Sequence, residues 1–209
     1  MEIKCVQCGE LQENAYFIRS PETSEYVLID PGDGLAELEN VICQDQINLG
    51  AILLTHGHFD HTLSAGILAQ RYGIPIYIHG NDLEMLEDPY LSAYSFAAAN
   101  LPVPTGFGAE PYPEQNNSMS VCGMNLRLLH TPGHTPGSVC LYFEKENILF
   151  SGDTLFAMGY GRTDLPGGNG KELVESLRLL FSHPEETKVY PGHGRETTIG
   201  REKMVFRGL

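Results

Sequence analysis

Residues 51–61 read Ala51-Ile52-Leu53-Leu54-Thr55-His56-Gly57-His58-Phe59-Asp60-His61. The apolar run Ala51–Leu54 has the length of a buried strand, and it stops at Thr55. Directly after it come three imidazoles and a carboxylate within six residues. Histidines at i and i+2 on an extended loop can point at one ion, and Asp60 and His61 then turn towards a second position. Imidazole and carboxylate donors suit zinc, and also iron or manganese. Gly57 lets the backbone bend between ligands. The chain has eight histidines in all, so three of them in one short loop is a concentration that solvated loops rarely show.

Working outward, three further loops each carry one candidate ligand. His134 sits in Thr131-Pro132-Gly133-His134-Thr135-Pro136-Gly137, Asp153 in Ser151-Gly152-Asp153-Thr154, and His193 in Pro191-Gly192-His193-Gly194. Each alone is a residue that turns use for backbone reasons. Each also follows a stretch that reads as a strand: Leu126–Leu129, Ile148–Ser151 and Lys188–Tyr190. Ligands drawn from several strand ends along one sheet edge make a rigid site. His79, His130 and His183 read as structural or surface residues, with His130 the best placed to support the loop that follows it.

The remaining chain alternates strands and helices. Met1–Val6, Tyr16–Arg19 and Tyr26–Ile29 read as strands, the last ending in the turn Asp30-Pro31-Gly32-Asp33-Gly34. Ile74–Ile78 and Val139–Phe143 are further strands. Leu35, Leu38, Val41 and Ile42 repeat with helical spacing, Ser64–Tyr72 is helical up to Gly73, and Lys171–Ser182 places Leu173, Leu177, Leu180 and Phe181 on one face. Pro89 to Asn117 reads as a long surface segment with one helix near Ser92–Ala99. Its Tyr90, Tyr94, Phe96 and Phe107 are candidates to wall an apolar pocket.

The ordered series THGHFDH, TPGHTPGS, SGDTLF and PGHG resembles the metallo-β-lactamase superfamily, and within it the glyoxalase II (hydroxyacylglutathione hydrolase) branch. The resemblance runs from about Asn14 to His193. It implies an α/β fold, the four-layer αββα sandwich, as a single domain over residues 1–209. It implies two metal ions, zinc expected, with iron, manganese or a mixed pair as alternatives. His56, His58 and His134 would hold the first ion, Asp60, His61 and His193 the second, and Asp153 would bridge them. The chemistry implied is hydrolysis by a metal-bridging hydroxide, with Asp60 also orienting it. A thioester of a hydroxyacyl group is the expected substrate class, because a thiolate leaves with little protonation. Asp at the position of Asp153 is similar to the hydrolase branches, whereas antibiotic-degrading lactamases tend to have Cys there.

Gly161–Gly168, GRTDLPGG, resembles a block of small glyoxalase II-like proteins and of persulfide dioxygenases. Arg162 would present its guanidinium to an anionic acyl thioester, or else pair with Asp164. The alternative activity is that of an iron-dependent persulfide dioxygenase, with one iron at His56, His134 and Asp153. Lactonase activity and a non-catalytic binding module are further alternatives. Only Gly194–Leu209 follow the last ligand, so no C-terminal glutathione-binding helical domain is expected.

The formal charge of −14 disfavours nucleic acid and anionic membranes as partners. The N-terminal MEIKCVQCGE lacks the apolar core of a secretory signal, and no run approaches the ~18 apolar residues of a membrane span. Five cysteines, an odd number, do not form a disulfide framework, which points to the cytoplasm. Cys5-x-x-Cys8 has no second pair to complete a zinc ribbon and reads as two thiols at a strand end. Oligomeric state is not encoded in any of these features.

Overall fold

The structure is a computed structural model that describes residues 1–97, 106–113 and 117–208. The first half contains β1 (Glu2–Cys8), β2 (Glu13–Arg19), β3 (Glu25–Ile29), α1 (Leu35–Gln44), β4 (Asn48–Leu53), α2 (Phe59–Thr62), α3 (Ala65–Tyr72), β5 (Ile76–Ile78), a 3-10 helix at Gly80–Leu86, α4 (Tyr94–Ala97) and β6 (Glu110–Pro111). Its strands form one sheet in the order β1-β2-β3-β4-β5-β6. The second half contains β7 (Ser118–Val121), β8 (Met124–His130), β9 (Val139–Phe143), β10 (Ile148–Gly152), β11 (Leu155–Phe156), β12 (Gly159–Tyr160), α5 (Gly170–Phe181), β13 (Lys188–Pro191), β14 (Thr197–Thr198) and α6 (Ile199–Val205). Its main sheet runs β14-β13-β10-β9-β8-β7, and β11 with β12 makes a small hairpin outside it.

The central strands β2, β9 and β10 are buried on both faces, which is why Ala15–Ile18, Val139–Phe143 and Ile148–Phe150 read as apolar runs rather than alternating ones. Tyr16, Ile18, Val27, Ile29 and Leu53 of the first sheet meet Leu126, Leu128, Leu141, Phe143 and Phe150 of the second. On its outer face the first sheet packs Phe17, Leu28 and Ile52 against Leu38 and Ile42 of α1 and Leu68 of α3. Leu129, Tyr142 and Leu149 pack outward against Leu173, Leu177 and Leu180 of α5 and Ile199 of α6. The layers are therefore α, β, β, α, as the resemblance implies.

The helix over Lys171–Ser182 forms as its spacing predicts, capped by Asn169, whose side chain accepts from the Lys171 and Glu172 N–H groups. The proposed aromatic wall does not form as one surface. Phe107 packs against Gly66 in the helix layer of the first sheet, Tyr94 is buried edge-on to Phe59 at 5.8 Å, and Tyr90 and Phe96 form an exposed pair. The helix expected near Ser92–Ala99 is present as α4, while its positions beyond 97 lie outside the described residues. Cys5 is exposed and Cys8 buried, and both thiols are free.

Candidate metal centre

Sequence order brings four ligand loops to one end of the sandwich. β4 feeds the loop of His56 and His58 and the short helix α2, which carries Asp60 and His61. β8 feeds the loop of His134, β10 ends at Gly152 just before Asp153, and β13 ends just before Gly192 and His193. All seven side chains named from the sequence meet there. His56, His58 and His134 have ligand atoms within 4.8 Å of one another, and so do Asp60, His61 and His193. Asp153 stands between the groups: Oδ1 lies 3.4 Å from His61 Nε2, while Oδ2 lies 3.5 Å from His134 Nε2 and 3.7 Å from His193 Nε2.

Four of the five imidazoles are anchored through Nδ1. His56 Nδ1–H donates to the Thr55 hydroxyl at 3.0 Å, and His61 Nδ1–H to Asp30 at 3.0 Å. His134 Nδ1–H donates to the Arg162 carbonyl at 2.8 Å, and His193 Nδ1–H to the Leu11 carbonyl at 3.1 Å. This leaves Nε2 as the free acceptor. Nε2 of His56, His58, His61 and His134, with Asp153 Oδ1, are buried atoms without a hydrogen-bond partner. Orphaned buried acceptors are costly, and five gathered in two adjoining groups fit cations that would share them.

The electrostatics of His56, His58, Asp60 and Asp153 agree with that fit. Burial, reinforced by the neighbouring imidazoles, holds His56 well below its usual range, and burial takes His58 down to about 3. Both are neutral at pH 7, the form that binds metal. Burial pushes Asp153 and Asp60 up, but the imidazoles, His61 foremost, outweigh it and hold both carboxyls below their usual range. His61 moves the opposite way: burial lowers it, and Asp153 and Asp60 more than compensate. The backbone is shaped around the centre. A methyl on Gly192 would fall on Asp153 Oδ1 and come within 2.6 Å of His61 Cε1.

Two residues outside the expected set organise the loops. Asp30, at the end of β3, accepts from the Thr55 N–H at 2.7 Å, the Thr55 hydroxyl at 2.6 Å and His61. Its sequence signal is a carboxylate just after a buried strand, as for Asp153, but the adjoining Pro-Gly makes it read as a turn. Asp82 is fully buried and accepts from the Gly57 N–H at 3.0 Å, the Gly137 N–H at 2.6 Å and the Thr135 hydroxyl at 2.6 Å. It thus ties the His56–His58 loop to the His134 loop. Nothing in its sequence neighbourhood, Asn81-Asp82-Leu83, announces that role. His130 supports the same loop, with Nε2–H donating to the Pro136 carbonyl at 2.9 Å.

Arg162 and Asp164 form the bidentate pair considered above, at 2.7 and 2.8 Å. The pair is exposed rather than buried. The Arg162 main chain, through its carbonyl, orients His134.

The model of the metallo-β-lactamase superfamily matches residues 8–193, the span that holds every one of these ligands. The chain belongs to that superfamily. Among its metallo-β-lactamase relatives, the hydroxyacylglutathione hydrolase GloC of Haemophilus influenzae is 33% identical over 97% of this chain and 95% of its own. The probable metallo-hydrolase YqgX of Bacillus subtilis is 36% identical over 97% and 95%. In structure, the B3 metallo-β-lactamase BLEG-1 is similar with a TM-score of 0.91 and 38% identity, covering 97% of each chain. TTHA1623, crystallised in a di-iron-bound form, has a TM-score of 0.87 and 40% identity, covering 99% of this chain and 100% of its own. The fold, the metal-binding His/Asp cluster and membership of a family of metal-dependent hydrolases agree.

Proposed function

We propose that this chain is a glyoxalase II-like thioesterase that hydrolyses acyl thioesters at a dinuclear centre. In this reading His56, His58 and His134 would hold one ion and Asp60, His61 and His193 the other, with Asp153, which stands between the two groups, available to both. The observation that carries it is the set of five orphaned buried acceptors, four imidazole Nε2 atoms and Asp153 Oδ1, brought together at one end of the sandwich. When bound, a pair of divalent ions supplies Lewis acidity and brings the pKa of water towards neutrality. Zinc fits the donor set best, and the di-iron form of TTHA1623 supports iron as the alternative.

The protein groups then have separate tasks. Asp60, Asp153 and His193 are the ligands with side-chain exposure, at 14%, 11% and 26%, so the reacting carbonyl approaches over them. Asp60 Oδ2, 3.3 Å from His193 Nε2, orients the attacking water. The departing sulfur leaves as thiolate, because thiol pKa values of ~8–9 demand no strong acid. Arg162 faces an anionic acyl half, with Asp164 as its resting partner. The name of GloC, matched over 95% of its length, supports hydroxyacyl thioesters. The five free cysteines support a reducing, cytoplasmic setting.

The likeness to BLEG-1 favours a second reading, β-lactam hydrolysis. An amine leaving group needs a proton that a thiolate does not, which ranks that reading second. The test is elemental analysis of metal-loaded protein, followed by turnover of S-lactoylglutathione, a small acyl thioester, a chromogenic β-lactam and a persulfide. Two ions per chain with thioester turnover above β-lactam turnover is the expected result. One iron per chain with oxygen consumption on the persulfide overturns the reading in favour of the dioxygenase. β-Lactam turnover without thioester turnover overturns it in favour of the second reading.

A further inference from the structure

Carboxylates outnumber cationic side chains 27 to 13 in this chain, so an arginine without a carboxylate is conspicuous. Arg19, Arg71, Arg127, Arg162 and Arg178 each have one within 4.0 Å. Arg195 and Arg201 have none among the described residues, yet both line the same cleft of 290 Å³ with Ala157, Met158, Met204 and Val205. Arg207 also has no carboxylate partner among the described residues, but it belongs to a different cleft, beside Lys203 and Arg178. The carboxylate that lines this cleft, Glu202, is committed. It is buried, and its two oxygens accept from the Thr197 hydroxyl at 2.5 Å and the Met158 N–H at 2.7 Å.

We propose that this cleft is an anion subsite for the thiol half of the substrate, with Arg195 and Arg201 holding a carboxylate or phosphate and Met158, Met204 and Val205 flanking an apolar stem. The inference rests on the thioesterase reading and deepens it. Three observations join the cleft to the centre. Arg195 lies two residues beyond His193, on the same loop. The hairpin β11–β12 begins just after Asp153, and its Phe156 ring is 6.2 Å from the ring of His193. Its turn, Ala157-Met158, forms the cleft wall, so about 7 Å of chain separates that wall from the residue touching His193. Met158, Met204 and Val205 are 70%, 59% and 49% exposed, an apolar surface left uncovered beside two free guanidinium groups. Guanidinium forks match carboxylate and phosphate oxygens in geometry, and the methylene stems beside them suit a short aliphatic thiol. Arg162 serves the acyl half and these arginines the sulfur side, so the two halves are separable by substrate design.

The experiment uses the zinc-loaded full chain and thioesters with one neutral acyl group and three thiols: a carboxylate, a phosphate monoester and a neutral amide of the same length. The expected result is a preference of about tenfold in kcat/KM for an anionic thiol, carried by KM. In the Arg195→Gln/Arg201→Gln double variant that preference falls below about threefold. The carboxylate and phosphate arms tell which anion is favoured. A preference that is absent in the parent, or equal in the double variant, overturns the subsite while leaving thioesterase activity standing. Failure to turn over any thioester overturns the thioesterase reading instead. The cleft is then read by NMR titration with the unreactive S-methyl ether of the carboxylate thiol. Saturable shifts of the Arg195 and Arg201 Nε–H signals support an anion site, and no shift overturns it.

Discussion

Replacing Asp82 by Ala isolates the contribution of one buried carboxylate to two ligand loops. Its oxygens receive the N–H groups of Gly57 and Gly137 and the hydroxyl of Thr135. Thr135 has an alternative partner in Ser138 at 2.7 Å, but the two N–H groups have none. Each orphaned buried donor costs about 1–3 kcal/mol, so the pair costs ~2–6 kcal/mol. Part of that is offset, because burial already makes the carboxylate expensive and raises the Asp82 pKa against its three hydrogen bonds. A net loss of ~3 kcal/mol is expected, which for a chain of this size lowers Tm by about 6–12 °C. The loss should extend to function, since Gly57 separates His56 from His58 and Thr135 follows His134. Loosening supports around metal ligands costs about 10–100-fold in affinity. The assay is thermal unfolding of the metal-free protein together with competition titration of each metal equivalent. The position of His56, His58 and His134 should weaken, and that of Asp60, His61 and His193 should hold. A Tm within about 2 °C of the parent, or equal weakening of both positions, would refute the reasoning.

Other expectations follow from the same geometry. Gly192→Ala should prevent filling of the position at His61, seen as one rather than two equivalents in elemental analysis, because the added methyl collides with Asp153 and His61. Arg162→Ala should raise KM for an anionic acyl half more than for a neutral one. Equal losses on both, with a lower Tm, would make the Arg162–Asp164 pair structural. Glu13 is fully buried with neither carboxyl oxygen hydrogen-bonded, His61 Nδ1 lying 3.8 Å from Oε1, and burial raises its pKa well above the ordinary value. The folded chain therefore keeps a proton that the unfolded chain releases. Stability of metal-free protein from this group is greatest at low pH and falls as pH rises from the ordinary glutamate value through the raised one, by at most about 1.4 kcal/mol per pH unit. Glu13→Gln resembles the protonated acid and should flatten that slope in chemical denaturation. An unchanged slope would mean that Glu13 is ionised when folded.

The site was far more legible in the sequence than its supports. His56, His58, Asp60 and His61 are adjacent in the chain, and a buried strand delivers them together, so their pattern is local. His134, Asp153 and His193 share the feature of following a strand, which makes them readable as a set. Asp82 and Asp30 act across 25 to 55 residues of chain, from Gly57 and Thr55 to Gly137, and no local pattern records such a link. The principal strands and the helices α1, α3 and α5 carry hydrophobic periodicity and were readable. Strands such as β11, β12 and β14 are two residues long, too short for any period. The aromatic segment misled for the opposite reason. Phe107 and Tyr94 look like pocket linings by composition, but burial against Gly66 and Phe59 is decided by packing between distant elements.

The split of the ligands between the two sheets also orders events during synthesis. Chains emerge from the ribosome N-terminus first, and folding units form in that order. The loop of His56, His58, Asp60 and His61 is made well before β13 and His193 exist. A nascent first half therefore carries four of the seven candidate donors without the other three. Closure waits for the second sheet to arrive and dock. Only the finished fold, with donors from both sheets in place, can impose the full geometry on an ion that these residues would hold.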